Sequence, residues 1–206
     1  MKTLNTGGKN LLLALFLSLT CVTWSHAALI TPSSATGTGT YYHSTGLLID
    51  NVFPAEGSQW QGNQDVYWYG TTPTFTIDLG ASYYVDDIFL SVDNNDYYKV
   101  EYSLDNLNWT WLFTINSGYG EIGWGMDTMG TLVGISEYVA QIDFASPVQS
   151  RYLRIYATGG DNMYSVGELQ SWGTPVPEPA TMILLGSGLI GLAGFRKSKN
   201  MRKHSS

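Results

Sequence analysis

The sequence predicts an all-β domain, a two-sheet β-sandwich, flanked by an N-terminal signal helix and a C-terminal transmembrane helix. Between residues 28 and 173, apolar side chains recur at every second position in short runs bounded by Gly, Pro, Asn or Asp, and no run has helical spacing. Aromatic side chains are abundant, with 14 Tyr and 7 Trp in 206 residues, and such side chains suit a pleated, half-buried surface. Apolar stretches flanked by basic residues occupy the two ends of the chain.

At the N-terminus, Lys2 and Lys9 precede an apolar run over residues 11–19, and Ser25, His26 and Ala27 place small residues where signal peptidase reads them. Charge, apolar run and small-residue site in that order mark residues 1–27 as a removable signal rather than a short buried helix, with cleavage before Ala28. Cys21 lies inside this segment, and Thr20 before it does not suit a lipoprotein signal. The mature chain is therefore expected to be free of cysteine, which excludes disulfides, thiol catalysis and cysteine metal sites.

Residues 28–173 are enough for one domain of ordinary size. Phe75, Ile77 and Leu79 alternate with Thr74, Thr76 and Asp78, and Ile88, Leu90 and Val92 form a second set. Tyr98, Val100 and Tyr102 alternate with Lys99, Glu101 and Ser103. Ala140, Ile142 and Phe144 alternate with Gln141 and Asp143, and Leu153, Ile155 and Ala157 with Arg154 and Tyr156. Each pattern predicts a strand with one buried and one wet face. Several segments, taken in order, resemble the F5/8 type C, or discoidin, family: Leu48, Ile49 and Asp50 followed by Ser58, Gln59 and Trp60; Phe75, Thr76, Ile77, Asp78, Leu79 and Gly80; Tyr98, Lys99, Val100, Glu101, Tyr102, Ser103, Leu104 and Asp105 with Trp109; Arg151, Tyr152, Leu153, Arg154 and Ile155; and Gly167, Glu168, Leu169 and Gln170 ending at Gly173. The resemblance implies a galactose-binding-like jelly-roll β-sandwich. Asn51 departs from it, standing where a glycine often follows the aspartate, and the disulfide of many animal members is absent.

The C-terminal segment, residues 174–206, has three parts. Val176, Pro177, Glu178 and Pro179 lead into an uncharged apolar run over residues 180–195, and Arg196, Lys197, Lys199, Arg202 and Lys203 follow. A helix of that length covers about 24 Å, just enough to cross a hydrocarbon core of roughly 30 Å if the basic residues snorkel, and it leaves the domain outside. The tail resembles the PEP-CTERM sorting signal of biofilm-forming Gram-negative bacteria; a retained membrane anchor shares its chemistry apart from the Pro-Glu-Pro. The resemblance implies transient insertion in the inner membrane, cleavage by an exosortase near Pro179, and delivery to the cell surface or the extracellular matrix.

With both ends removed the charge balance changes. All 17 acidic residues fall between residues 50 and 178, where only Lys99, Arg151 and Arg154 are basic, so the region carries net −14. Phosphate backbones and anionic lipid surfaces would repel such a domain, which excludes nucleic acid as a partner and favours neutral or cationic partners, or divalent cations.

Candidate site residues follow from this. Family members commonly hold a structural calcium ion, and the resemblance carries that role to Asp50 and Glu168; calcium takes six to eight hard oxygen ligands, so two carboxylates with backbone carbonyls would serve. The plain alternative is that both accept backbone N–H groups at turns. Ligand recognition is expected on loops. Asp93, Asn95, Asp96 and Tyr97 on one loop, and Asp161, Asn162 and Tyr164 on another, offer carboxylates and amides for paired sugar hydroxyls and rings for the apolar sugar face. Trp68, Tyr69 and Trp124 lie in other turn-rich stretches and are candidates for the platform, whereas Trp60 and Trp109 are expected in the core. Catalysis has little support: Asp86 and Asp87 read as a solvated turn, and His43, the one histidine of the mature region, has no nucleophile-elbow motif beside it. The sequence thus points to an exported, non-catalytic carbohydrate-binding module that recognises a glycan or exopolysaccharide. The alternative is a structural or adhesive matrix protein, and a glycan hydrolase is a distant third.

Overall fold

The computed structural model describes residues 27–177 and 186–188, so the signal segment, Glu178, Pro179 and most of the sorting tail lie outside the described residues. Among the described residues no helix is long and apolar enough to cross a membrane. The strands are β1 (Ala28–Leu29), β2 (Ser34–Thr38), β3 (Tyr41–Tyr42), β4 (Val66–Tyr69), β5 (Thr74–Asp93), β6 (Tyr97–Ser103), β7 (Thr110–Ile115), β8 (Met126–Gly130), β9 (Val148–Gly159) and β10 (Met163–Pro175), with a 3-10 helix at Thr45–Leu48.

Strand β5 frames the domain. Its first part pairs with β2 and β9, placing Ala35 and Leu153 on either side of Ile77, and its last part pairs with β10 and β8. A register shift between Asp78 and Tyr83 brackets Gly80, whose φ of 82° is the left-handed conformation that glycine adopts without steric cost. The strand therefore bends and passes from one layer to the other. One layer is β2, β5, β9, β6 and β7; the facing layer is β8, β5, β10, β4 and β3, with β1 on β10. All of these pairings are antiparallel, as a jelly-roll sandwich requires.

The core lies between the layers and follows the alternation. Phe75, Ile77, Ile88, Leu90, Val92, Tyr98, Val100, Leu153 and Ile155 are fully buried. Each such side chain contributes roughly 1.5–3 kcal/mol by leaving water. Contacts between rings join the layers: Trp68 of β4 lies 4.8 Å from Phe75 of β5 and 6.3 Å from Tyr98 of β6, and Tyr164 of β10 lies 6.2 Å from Tyr98.

Two expectations are corrected. Residues 140–142 form a turn and 143–144 are irregular, not a strand: Ile142 is buried from a turn closed by its N–H on the Val139 carbonyl, and the Phe144 ring stacks 6.5 Å from Phe113. Five residues of alternation are too few to separate a strand from a turn that drops two side chains onto a core. Asp86 and Asp87 sit in β5 rather than in a turn, opposite a register shift between Trp172 and Gly173, and Asp87 accepts the Thr131 hydroxyl at 3.0 Å.

Candidate functional site

At one end of the sandwich, three connections meet. Between β5 and β6, Asn94 is fully buried and pins the loop before β8: its side-chain amide donates to the Tyr119 and Ile122 carbonyls and to Asp127 Oδ2, the last at 2.7 Å. The Asn94 N–H donates to the Gly125 carbonyl at 3.0 Å, and its carbonyl accepts the Gly118 N–H at 2.9 Å. Between β9 and β10, the Asp161 N–H donates to Asp96 Oδ1 at 3.0 Å, and Asp161 Oδ1 accepts the Met163 N–H at 2.9 Å. Gly160 permits this approach, because a Cβ there would lie 1.8 Å from Asp96 Oδ1 at a φ of 133°. Asp161 Oδ2 then accepts the Asn95 side-chain amide at 3.0 Å, so the two loops are bridged at their exposed edge.

This arrangement divides the predicted ligand residues into two groups. Asn95 is half-buried, Asp161 and Asn162 are exposed, and Tyr97 and Trp124 present 43% and 61% of their surface to water. Asp93, Asp96, Trp68 and Tyr164 are buried. Trp68 follows the two-residue period of β4: Val66 and Trp68 point inward, leaving Tyr67 and Tyr69 outward. Tyr164 sits opposite Trp68 in the β4–β10 register, and their rings approach to 5.9 Å inside the core. The two aspartates serve the loops from below. Burial, with Asp161 and Asp93 nearby, pushes the Asp96 carboxyl up to about 7, and burial with Asp161 nearby pushes Asp93 up to about 6. Asp65 is raised to about 6 by burial in spite of the Gly62 N–H that it accepts. Asp65 Oδ1, Asp93 Oδ1 and Asp96 Oδ2 have no hydrogen-bond partner, yet no group of three or more His, Cys, Asp or Glu among the described residues is placed to hold a metal ion.

Two tryptophans stand differently from the expectation. Trp60 and Trp109, expected in the core, are both partly exposed. Trp109 lies beneath the Arg154 guanidinium at 4.1 Å, and Trp60 packs edge-on against Tyr67 and Tyr69 on the outer side of β4.

Asp50 and Glu168 come together elsewhere. Glu168 is 1% exposed and accepts the Asn51 N–H at 3.1 Å, while Asp50 Oδ1 accepts the Val52 N–H at 3.0 Å. Burial, with Asp50 adjacent, pushes Glu168 up to about 7. None of the ion pairs among the described residues, Lys99–Glu101, Arg151–Asp78 and Arg154–Glu101, involves either carboxylate. Both carboxylates thus accept backbone N–H groups at the turn after Asp50, and they lie side by side with no cationic partner in those ion pairs.

The F5/8 type C domain model matches residues 30–169. The chain belongs to the F5/8 type C family. The PEP-CTERM protein-sorting motif matches residues 175–197, so this F5/8 type C protein carries a sorting tail directly after its last strand. Similar solved structures include a fucolectin from striped bass (Morone saxatilis) serum, at 15% identity and a TM-score of 0.52 over 72% of this chain and 48% of that one. A Streptococcus pneumoniae fucose binding module matches at 12% identity and a TM-score of 0.50, over 71% of this chain and 96% of the other. The family 32 module of Clostridium perfringens NanJ, solved with galactose, matches at 16% identity and a TM-score of 0.46 over 71% and 99%. At these identities the first two likenesses bear on the fold alone, and they agree with the sandwich described above. No curated protein matches the chain.

Proposed function

We propose that this F5/8 type C domain is a non-catalytic glycan-binding module, exported, sorted through its tail by an exosortase, and held at the cell surface or in the exopolysaccharide matrix. The observation that carries the reading is the exposed Asn95–Asp161 bridge with Tyr97 at its edge. An amide and a carboxylate fixed 3.0 Å apart can share two neighbouring sugar hydroxyls, and a half-exposed phenol ring beside them can cover the C–H face of the sugar. Both loops are anchored by buried hydrogen bonds, so little ordering remains to be done on binding. The net charge of −14 over residues 50–178 favours a neutral glycan. Asp50 and Glu168 are proposed to hold a structural calcium ion, which would supply positive charge to a buried carboxylate pair.

A glycan array with the exported protein tests this reading, followed by calorimetry on Asn95→Ala and Tyr97→Ala. Loss of one hydrogen-bonding partner at a desolvated hydroxyl should cost about 1–3 kcal/mol, or roughly 5-fold to 150-fold in affinity, with the melting temperature kept within a few degrees. Silence on the array together with self-association would replace the reading with that of an adhesive matrix protein.

A further inference from the structure

The outer face of β3 and β4 carries rings in mutual contact. Tyr42 and Tyr67 form a cross-strand pair and stack at 4.8 Å with planes 10° apart. Tyr69 meets Tyr42 edge-on at 6.3 Å, Trp60 meets Tyr67 at 5.4 Å and Tyr69 at 5.5 Å, and the His43 ring meets Tyr67 at 5.0 Å. Tyr42 and Tyr69 keep 45% and 49% of their surface in water, although a monomer gains nothing from leaving them there. His43 is held by a 2.9 Å contact between Nδ1 and the Asp65 carbonyl, and Trp60 is held by the two tyrosines, so the surface is preorganised.

We propose that this face is a second glycan-contact surface, taking successive residues of an extended, neutral polysaccharide chain whose end is held at the loop tips. The inference rests on the glycan-binding reading above and goes beyond it in naming the surface and the length of ligand. Two features select a sugar chain as the occupant. The five side chains include no aliphatic group: Tyr42, Tyr69 and His43, the exposed ones, offer ring surface for sugar C–H groups together with phenol and imidazole hydrogen-bonding groups at their rims. The face is also continuous with the loop tips, since Tyr69 pairs with Met163 in the β4–β10 register and the Gly70 N–H donates to the Asn162 carbonyl at 3.3 Å. Asp161, whose carboxylate bridges to Asn95, immediately precedes Asn162.

The test is calorimetric titration of the exported protein with linear neutral hexose oligomers of one to six units in the gluco-, manno- and galacto-series. Affinity is expected to rise about tenfold or more as the chain lengthens. The double variant Tyr42→Ala, Tyr69→Ala should lose that gain while binding the shortest ligand as the wild type does; Asn95→Ala should weaken every length alike. Should the double variant melt early, the single substitutions Tyr42→Ser and Tyr69→Ser, both at half-exposed positions, supply the same comparison. Affinity independent of length, or a length gain that survives the double variant, overturns the inference and leaves the loop-tip reading standing. Absence of binding to every oligomer and to the array removes both. Sedimentation gives the remaining outcome: self-association abolished by the double variant, with the length gain intact, would make the face an interface between copies and overturn the proposal.

Discussion

The carboxyl group of Asp96 accepts the Asp161 N–H with one oxygen, leaves the other without a partner, and is raised by burial from 3.8 to about 7. The native state therefore binds this proton more tightly than the unfolded chain does. The resulting stability is fully present below about pH 4, declines as the pH rises, and is gone above about 7; Asp93 and Asp65, raised to about 6, act in the same direction. Denaturant melts between pH 4 and 8 should show stability falling with pH. Asp96→Asn keeps the acceptor for Asp161 and cannot ionise, so its profile should be flatter; a slope equal to that of the wild type would show that another group sets it. Asp96 was readable in the sequence as a loop carboxylate, but its burial was not. Its side chain is covered by the β9–β10 connection, 65 residues further along the chain.

Alternation along β4 decides which aromatic ring does what. Trp68 contributes its whole indole to the contact between layers, and Tyr69, the next residue, stands half in water. Trp68→Ala should cost about 3–5 kcal/mol by leaving a cavity that the layers cannot close. Tyr69→Ala should lower the unfolding free energy by only about 1 kcal/mol, since the ring stands half in water and loses only its edge contacts with Tyr42 and Trp60. Equal losses at the two positions would contradict the assigned faces. Strands β5, β6 and β9 were legible because their apolar alternation runs through to a single buried face. The period of β4 was hidden because all four of its residues are apolar or aromatic, so only pairing with β3 and β10 sets its register.

Across the whole molecule, the acidic surplus must be carried by a fold with few cations. Each of the three Lys and Arg side chains among the described residues is paired: Lys99 and Arg154 with Glu101, and Arg151 with Asp78. Asp50 and Glu168 receive no such partner in these ion pairs, and calcium is the proposed counter-charge. An ion that binds only the folded state stabilises it by RT ln(1 + [L]/Kd), about 2.7 kcal/mol at a hundredfold excess over Kd. The melting temperature at pH 7 should fall when a chelator replaces calcium. Glu168→Gln should abolish the difference, because the amide keeps an acceptor for the Asn51 N–H and removes the charge. Identical wild-type melts in calcium and in chelator would remove the ion from the proposal.

The sequence by itself determined what depends on neighbours along the chain. Alternation at every second residue specified strands and their buried faces, and motifs in fixed order specified the F5/8 type C family and the PEP-CTERM tail. The tertiary structure decided what depends on distant segments. It buried Asp93, Asp96, Trp68 and Tyr164, left Trp60 and Trp109 partly exposed, and joined Asn95 to Asp161 across two loops. The physical reason is range. A strand's period is written in consecutive residues, whereas the exposure of a side chain on a connection depends on which other connection packs over it, and that is fixed only when the layers close.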